Sequence, residues 1–158
     1  MFIGDNGLTL QKKQKMTDIE YMKKALAEAE KAYDEGEIPI GAVIVCNGHV
    51  IARAHNQTET LCDVTAHAEM LAITSAANTL GGKYLTGCTL YVTVEPCPMC
   101  AGAIGWAQIP RVVYGAPDVK RGFTGIAPDA VHPKTKVEGH ILEDECKDLM
   151  QRFFKERR

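Results

Sequence analysis

Hydrophobic and polar positions change period several times along the chain, and each change marks an element. Thr17-Asp18-Ile19-Glu20 has the form of a capping box. After it Ile19, Met22, Leu26, Ala29 and Tyr33 recur at helical spacing up to Gly36, which predicts a packing helix with one apolar face. Two largely apolar runs, 42–46 and 50–54, flank Asn47-Gly48, a dipeptide suited to a tight hairpin, so the sheet begins antiparallel. The second run ends at His55-Asn56. A polar loop then leads to a helix with Thr65 as its N-cap, which ends before Gly81-Gly82.

Residues 89–94 form a β-branched and aromatic run that reads as a buried strand, stopped by Pro96. Pro98 suits the first position of a helix reaching about Ala107. That helix is small and apolar (Ala101, Gly102, Ala103, Ile104, Gly105, Trp106), suited to a core or a subunit boundary. Residues 111–114 are then a strand parallel to the preceding one, because a helix separates the two. Residues 115–134, rich in Gly and Pro, read as loop, and 136–138 as a short fifth strand. Leu142, Cys146, Leu149, Met150, Phe153 and Phe154 make the apolar stripe of a terminal helix. The pattern predicts an α/β domain, a five-stranded mixed sheet with helices on both faces.

A chain of 158 residues suits a single domain that buries about two-thirds of its unfolded surface. There is no apolar run of membrane-spanning length and no signal-peptide pattern, and four of the six cysteines sit in apolar segments without framework spacing. The expectation is a reduced, cytoplasmic protein without a membrane segment. The formal net charge of -2 gives no general attraction to nucleic acid, so any such contact needs a local basic patch. Residues 1–15 are polar and irregular, with Lys12, Lys13 and Lys15, and read as a disordered extension before a domain over 16–158.

The unusual chemistry gathers at Val94-Glu95-Pro96-Cys97-Pro98-Met99-Cys100. With Cys97 at the helix N-cap and Cys100 three residues later, both sulfurs lie at the open end of a helix, where free N–H groups and the dipole favour thiolates. Such a pair fits a redox motif, half of a structural zinc site or part of a catalytic one. Upstream, His67-Ala68-Glu69 opens the preceding helix with His67 in its first turn. One site between the two helix ends would take His67, Cys97 and Cys100 as three ligands and leave a fourth position for water, which is the catalytic pattern. Glu69 alone would read as a solvated first-turn carboxylate.

His67-x-Glu69 followed by Pro96-Cys97-x-x-Cys100 resembles the signature of the zinc-dependent nucleobase deaminases. The stretches 38–43, 52–56, 65–70, 89–102, 113–116 and 153–158 make the chain similar to one branch, the bacterial tRNA adenosine deaminases, which convert the wobble adenosine of an anticodon to inosine. The resemblance implies a three-layer, cytidine-deaminase-like fold, a homodimer, and one Zn2+ per subunit on His67, Cys97 and Cys100. It makes Glu69 the proton carrier between water, purine N1 and the departing ammonia. It assigns the tRNA anticodon loop to Asn56 at the base edge, Asp118 at a ribose, Phe154 by stacking and Arg157 at a phosphate. Ala68 joins the substrate contacts, Glu95 reads as a site-wall residue, and Lys120, Arg121, Arg157 and Arg158 as a basic rim. His55 receives no role. Two departures stand out: 126–133 lacks the Leu-rich segment and Asn-His pair of many members, and Gln108 stands where Arg is common. The competing readings are a deaminase of a free base or nucleoside, of guanine or cytosine type, and a zinc or redox module without catalysis.

Overall fold

Thr17 starts the first helix as the capping box requires: its hydroxyl accepts the Glu20 N–H at 3.2 Å. The structure, a computed structural model, describes residues 16–157, so the extension expected over residues 1–15 lies outside the described residues. The elements in order are α1 (Asp18–Asp34), β1 (Gly41–Cys46), β2 (His49–His55), α2 (Ala68–Leu80), β3 (Cys88–Val94), α3 (Pro98–Ala107), β4 (Arg111–Ala116), α4 (Phe123–Ile126), a 3-10 turn (Pro128–Ala130), β5 (Lys136–Glu138) and α5 (Glu143–Glu156). The strands form one sheet in the order β2-β1-β3-β4-β5. β1 pairs antiparallel with β2 and β3, whereas β3, β4 and β5 run parallel. The hairpin turns through Asn47 and Gly48, both at positive φ, as a tight right-twisted connection demands.

Alternation along the strands builds two cores. Val43, Val45, Tyr91 and Val113 face Tyr21, Met22 and Ala25 of α1 and Cys146 of α5. Ile44, Leu90, Val92 and Val112 face Ala68, Ala72 and Ala76 of α2 and Ala101 and Ile104 of α3. Three layers result, as the resemblance implies. Because α3 follows β3 directly and α2 follows β2, the N-terminal ends of both helices arrive at the same sheet edge, where β3 and β4 end and β1 begins. This is the edge at which open α/β sheets bind their ligands.

Four expectations need correction. The inner face of α1 is Tyr21, Met22, Ala25, Glu28, Ala29 and Ala32, while Ile19 is half exposed. The alanines win this face because the helix crosses β1 at Gly41, where only small side chains fit. Residues 115–134 are not all loop. β4 continues through Gly115, whose missing side chain makes room for Cys146 Sγ and Thr93 O, and buried Phe123 anchors α4. Thr65 does not cap α2; its N–H and hydroxyl bind Asp63 Oδ1 at 2.8 and 2.7 Å, and His67 takes the cap position. Leu142 lies before α5 in the left-handed region, and Phe154 leaves the buried stripe.

Candidate active site

Two of the three metal-ligand candidates, His67 and Cys97, are N-cap residues in extended backbone, and Cys100 lies in the first turn of α3. Cys97 caps α3 at φ −74°, ψ 167°, with Pro98 next to it, and makes no side-chain cap bond, so its sulfur is free to face the cleft. His67 caps α2 at φ −72°, ψ 154°, again without a side-chain cap bond. Between them, His67 Nδ1 stands 3.6 Å from Cys97 Sγ and 3.5 Å from Cys100 Sγ. A tetrahedral zinc with ordinary Zn–S and Zn–N lengths has an S···N edge of about 3.6 Å, so the donor set fits that ion. All three donor atoms lie within 4.8 Å of one another. A thioredoxin-like pair has no use for an imidazole wedged against both sulfurs, and this placement favours the metal over the redox reading.

In the metal-free chain these groups share protons. Cys97 is pushed down to about 4, first by the Cys100 thiol that donates to it, with His67 adding to the effect; Cys100 is correspondingly pushed up. The Cys97 sulfur raises His67. Metal binding therefore has to release the Cys100 proton and needs His67 as the neutral imidazole. Glu69, in the first turn of α2 and 4 % exposed, is pushed up to about 7 by burial. Glu69 is thus not the solvated carboxylate it would be in isolation but a buried acid, which suits the proton carrier that the resemblance implies.

The site opens into a cleft of about 540 Å³ whose lining includes Asn56, His67, Ala68, Glu69, Glu95 and Cys97 at depth and Asp118 and Phe154 further out. Sequence analysis missed its apolar wall of Ile38, Ile40, Val94 and Met150, which comes from three separate stretches, the connection before β1, the end of β3 and α5, and has no shared period. Asn56 ends β2, with its N–H on Ile40 O at 3.0 Å. Its amide makes two long bonds, to Ile38 O at 3.5 Å and from the Thr58 N–H at 3.4 Å, which leaves one N–H and one acceptor site on a residue that lines the cleft. His55 beside it is held by Glu28 and Glu35, at 3.3 and 2.8 Å, as a satisfied histidine. Asp118 Oδ1 accepts the N–H groups of Lys120 and Arg121.

A second groove of about 810 Å³ shares Val94, Asp118, Lys120, Met150 and Phe154 with the cleft and continues past Lys147 and Lys155. Among the described residues, none of those three lysines is in an ion pair. The local basic patch absent from the net charge is therefore present at the mouth of the cleft. Phe154, 46 % exposed, stands there. Arg157 does not line either hollow: its guanidinium lies 4.4 Å from the Phe153 ring centroid, near Gly36 at the end of α1.

This geometry agrees with what the chain resembles. Residues 15–116 match the family described as the cytidine and deoxycytidylate deaminase zinc-binding region. The tRNA-specific adenosine deaminase of Bacillus subtilis (strain 168) is 48% identical over 143 residues, which cover 87% of this chain and 89% of that protein. A solved structure from studies of A-to-I editing by tRNA:A34 deaminases at the wobble position matches with a TM-score of 0.76 at 44% identity, covering 82% of this chain and 97% of that one. The guanine deaminase of Bacillus subtilis matches with a TM-score of 0.59 and 45% identity, but over only 61% of this chain and 62% of its own. The wider match to the tRNA enzymes takes in the parts of the fold beyond the zinc region, and the chain belongs to the zinc-dependent cytidine and deoxycytidylate deaminase family and, within it, to the tRNA-specific adenosine deaminases.

Proposed function

We propose that this protein is a zinc-dependent hydrolase that converts the wobble adenosine of a tRNA anticodon to inosine and releases ammonia. The observation that carries the reading is the buried Glu69 carboxyl beside the His67, Cys97 and Cys100 donors, at the floor of a cleft whose mouth is basic and aromatic. When bound, zinc on those three side chains supplies Lewis acidity and lets water act as a nucleophile at neutral pH. Glu69, pushed up to about 7, can accept one proton of the attacking water at its carboxylate and hand it to purine N1, then take the proton of the new C6 hydroxyl and deliver it to the departing amino group. Asn56 offers an amide that both donates and accepts, suited to a purine edge. Ile38, Ile40 and Val94 exclude water around the base, and Ala68, beside the ligand His67, forms the wall next to them.

Outside the pocket, Asp118 and the lysines suit sugar and phosphate, and Phe154 offers a stacking face to an unpaired base. Arg157 takes its phosphate role by exchanging an exposed cation–π contact, worth about 0.5–1 kcal/mol, for a stronger charge-assisted bond. A cytoplasmic homodimer accompanies this reading. Six unpaired cysteines support a reducing compartment. The outward face of α3, with Trp106 86 % and Met99 38 % exposed, supports a covered surface. Among the described residues no helix is long and apolar enough to cross a membrane. Light scattering on the purified protein should return twice the 17.3 kDa chain mass.

The decisive experiment measures inosine formation on an anticodon stem-loop with a wobble adenosine, beside ammonia release from guanine, cytosine, cytidine and adenosine. Turnover of the stem-loop is expected. Turnover of a free base or nucleoside alone would leave the zinc chemistry standing and overturn the RNA substrate.

A further inference from the structure

Glu95 stands between the end of β3 and the ligand Cys97, and its carboxylate is committed to a different segment. It is 6 % exposed. Its Oε1 accepts the Asp118 N–H at 3.1 Å, and its Oε2 accepts the Thr124 N–H at 3.1 Å and the Thr124 hydroxyl at 2.7 Å. Among the described residues it has no cationic partner. The segment 117–124 closes around this carboxylate so tightly that a Cβ on Gly122 would collide with it. Two main-chain bonds complete the wrap, Gly122 N–H to Asp118 O at 2.8 Å and Phe123 N–H to Pro96 O at 2.9 Å.

A buried carboxylate held only by neutral donors is costly unless each bond is made, so its presence calls for a reason. The segment it gathers carries Asp118, Lys120 and Arg121, all on the rim of the cleft. The metal-ligand candidates themselves sit at the starts of α2 and α3, and none of their side chains bonds to this segment. We propose that Glu95 is a positioning residue for the RNA substrate: it holds the 117–124 loop so that Asp118, Lys120 and Arg121 meet the sugar and phosphates flanking the target nucleotide. This rests on the tRNA reading above. It adds to the site-wall place of Glu95, which lines the cleft, a role exerted by its side chain through the loop.

The test is Glu95→Gln, which keeps the size but turns an amide donor toward at least one of the three donors. Zinc content should stay at the wild-type level. KM for the anticodon stem-loop should rise about tenfold, in line with one or two weakened contacts, while kcat falls by less than about threefold. Lys120 and Arg121 each add about 0.7 to the slope of log affinity against log salt for a single strand, so that slope should become shallower by about one. General destabilisation would not change it. Thr124→Val removes one donor and leaves the carboxylate in place, so it should move KM and the salt slope the same way by less; it answers the question if Glu95→Gln fails to fold. A loss in kcat with unchanged KM and salt slope, or a Thr124→Val variant with wild-type values for both, overturns the proposal. Wild-type protein that leaves the stem-loop unmodified overturns the tRNA reading instead.

Discussion

Gly41→Ala sets two opposing effects against each other. Gly41 opens β1 in ordinary extended backbone, where replacing glycine by alanine normally stabilises by about 0.4–1 kcal/mol through the unfolded chain. Here the added methyl would collide with Ala25 O and Ala29 N and stand 2.8 Å from Glu28 Cβ. Two of these obstacles are main-chain atoms of α1, and no side-chain rotation relieves them. The helix has to move bodily, loosening Tyr21, Met22 and Ala25 from Val43 and Tyr91. Overpacking of this kind destabilises by about 1–3 kcal/mol, and an obstacle made of backbone belongs at the upper end. The net effect is about 2 kcal/mol of destabilisation, a Tm lower by about 4–8 °C for a domain of this size. The Gly41 N–H binds Thr93 Oγ1 at 3.1 Å and Ile40 O takes the Asn56 N–H, so the shift should reach the cleft wall and raise KM as well. Thermal unfolding of the zinc-loaded protein, followed by circular dichroism, measures the first effect. A Tm equal to or above that of the wild type would refute the packing argument.

Separating metal from proton transfer, Cys97→Ala should lower zinc below one per chain by elemental analysis, whereas Glu69→Gln should keep zinc and lose at least about a hundredfold in kcat. Unchanged metal in the first, or unchanged turnover in the second, contradicts the assignments. Phe154→Ala should raise KM for the stem-loop roughly 5- to 150-fold, the value of one base stacked on an aromatic ring, with stability little changed because the ring is 46 % exposed. The Arg111 guanidinium, at 2.7 Å, holds the Asp18 carboxyl below its ordinary 3.8. A lowered folded value contributes stability that is present above 3.8 and is lost as pH falls through the folded value. Asp18→Asn should therefore have a lower Tm at pH 7, and the gap should close as the pH drops below 3.8. A gap of constant size across that range would show that the ion pair is not its source.

The chemical half of the site was legible because it is local. Cys97, Pro98 and Cys100 lie within one helix start, and His67 and Glu69 within another, so residue type and spacing carry the geometry. One detail failed there. Thr65 looked like the N-cap, but the Asp63 carboxylate two residues earlier competes for its N–H and hydroxyl and moves the helix start to His67. The shift helps the site, since a cap residue points off the helix axis, toward the second helix. The sheet was equally readable, from Asn47-Gly48 through the parallel pair around α3 to the three-residue β5. The substrate half was not legible in the same way. Ile38, Asn56, Glu95, Asp118 and Met150 come from five separate stretches, and their meeting is a property of the sheet order rather than of any local pattern. Glu95 shows the limit most plainly, for its three partners lie 23 to 29 residues away in a segment that reads as loop.

The terminal helix shows how a sequence pattern can hold such information without displaying it. Cys146, Leu149 and Phe153 fall on one line of α5 and are buried. Met150 and Phe154 are each one residue further on, about 100° around the helix, and they carry the apolar stripe beyond what the core of this chain covers. A stripe that only had to seal the core could end at Phe153. The extra width reaches the rim shared by the cleft and the lysine-flanked groove, where Met150 and Phe154 line both. An aromatic ring held half exposed in the groove that Lys120, Lys147 and Lys155 also line has little to gain from water and much to gain from a base laid against it. The width of the stripe, not its period, was thus the trace of the cleft rim in the sequence. Buried and exposed residues sit side by side within a single turn: Phe153 packs against Tyr33 of α1, and Phe154 stands half exposed at the rim, placed to meet a nucleotide under the proposed function.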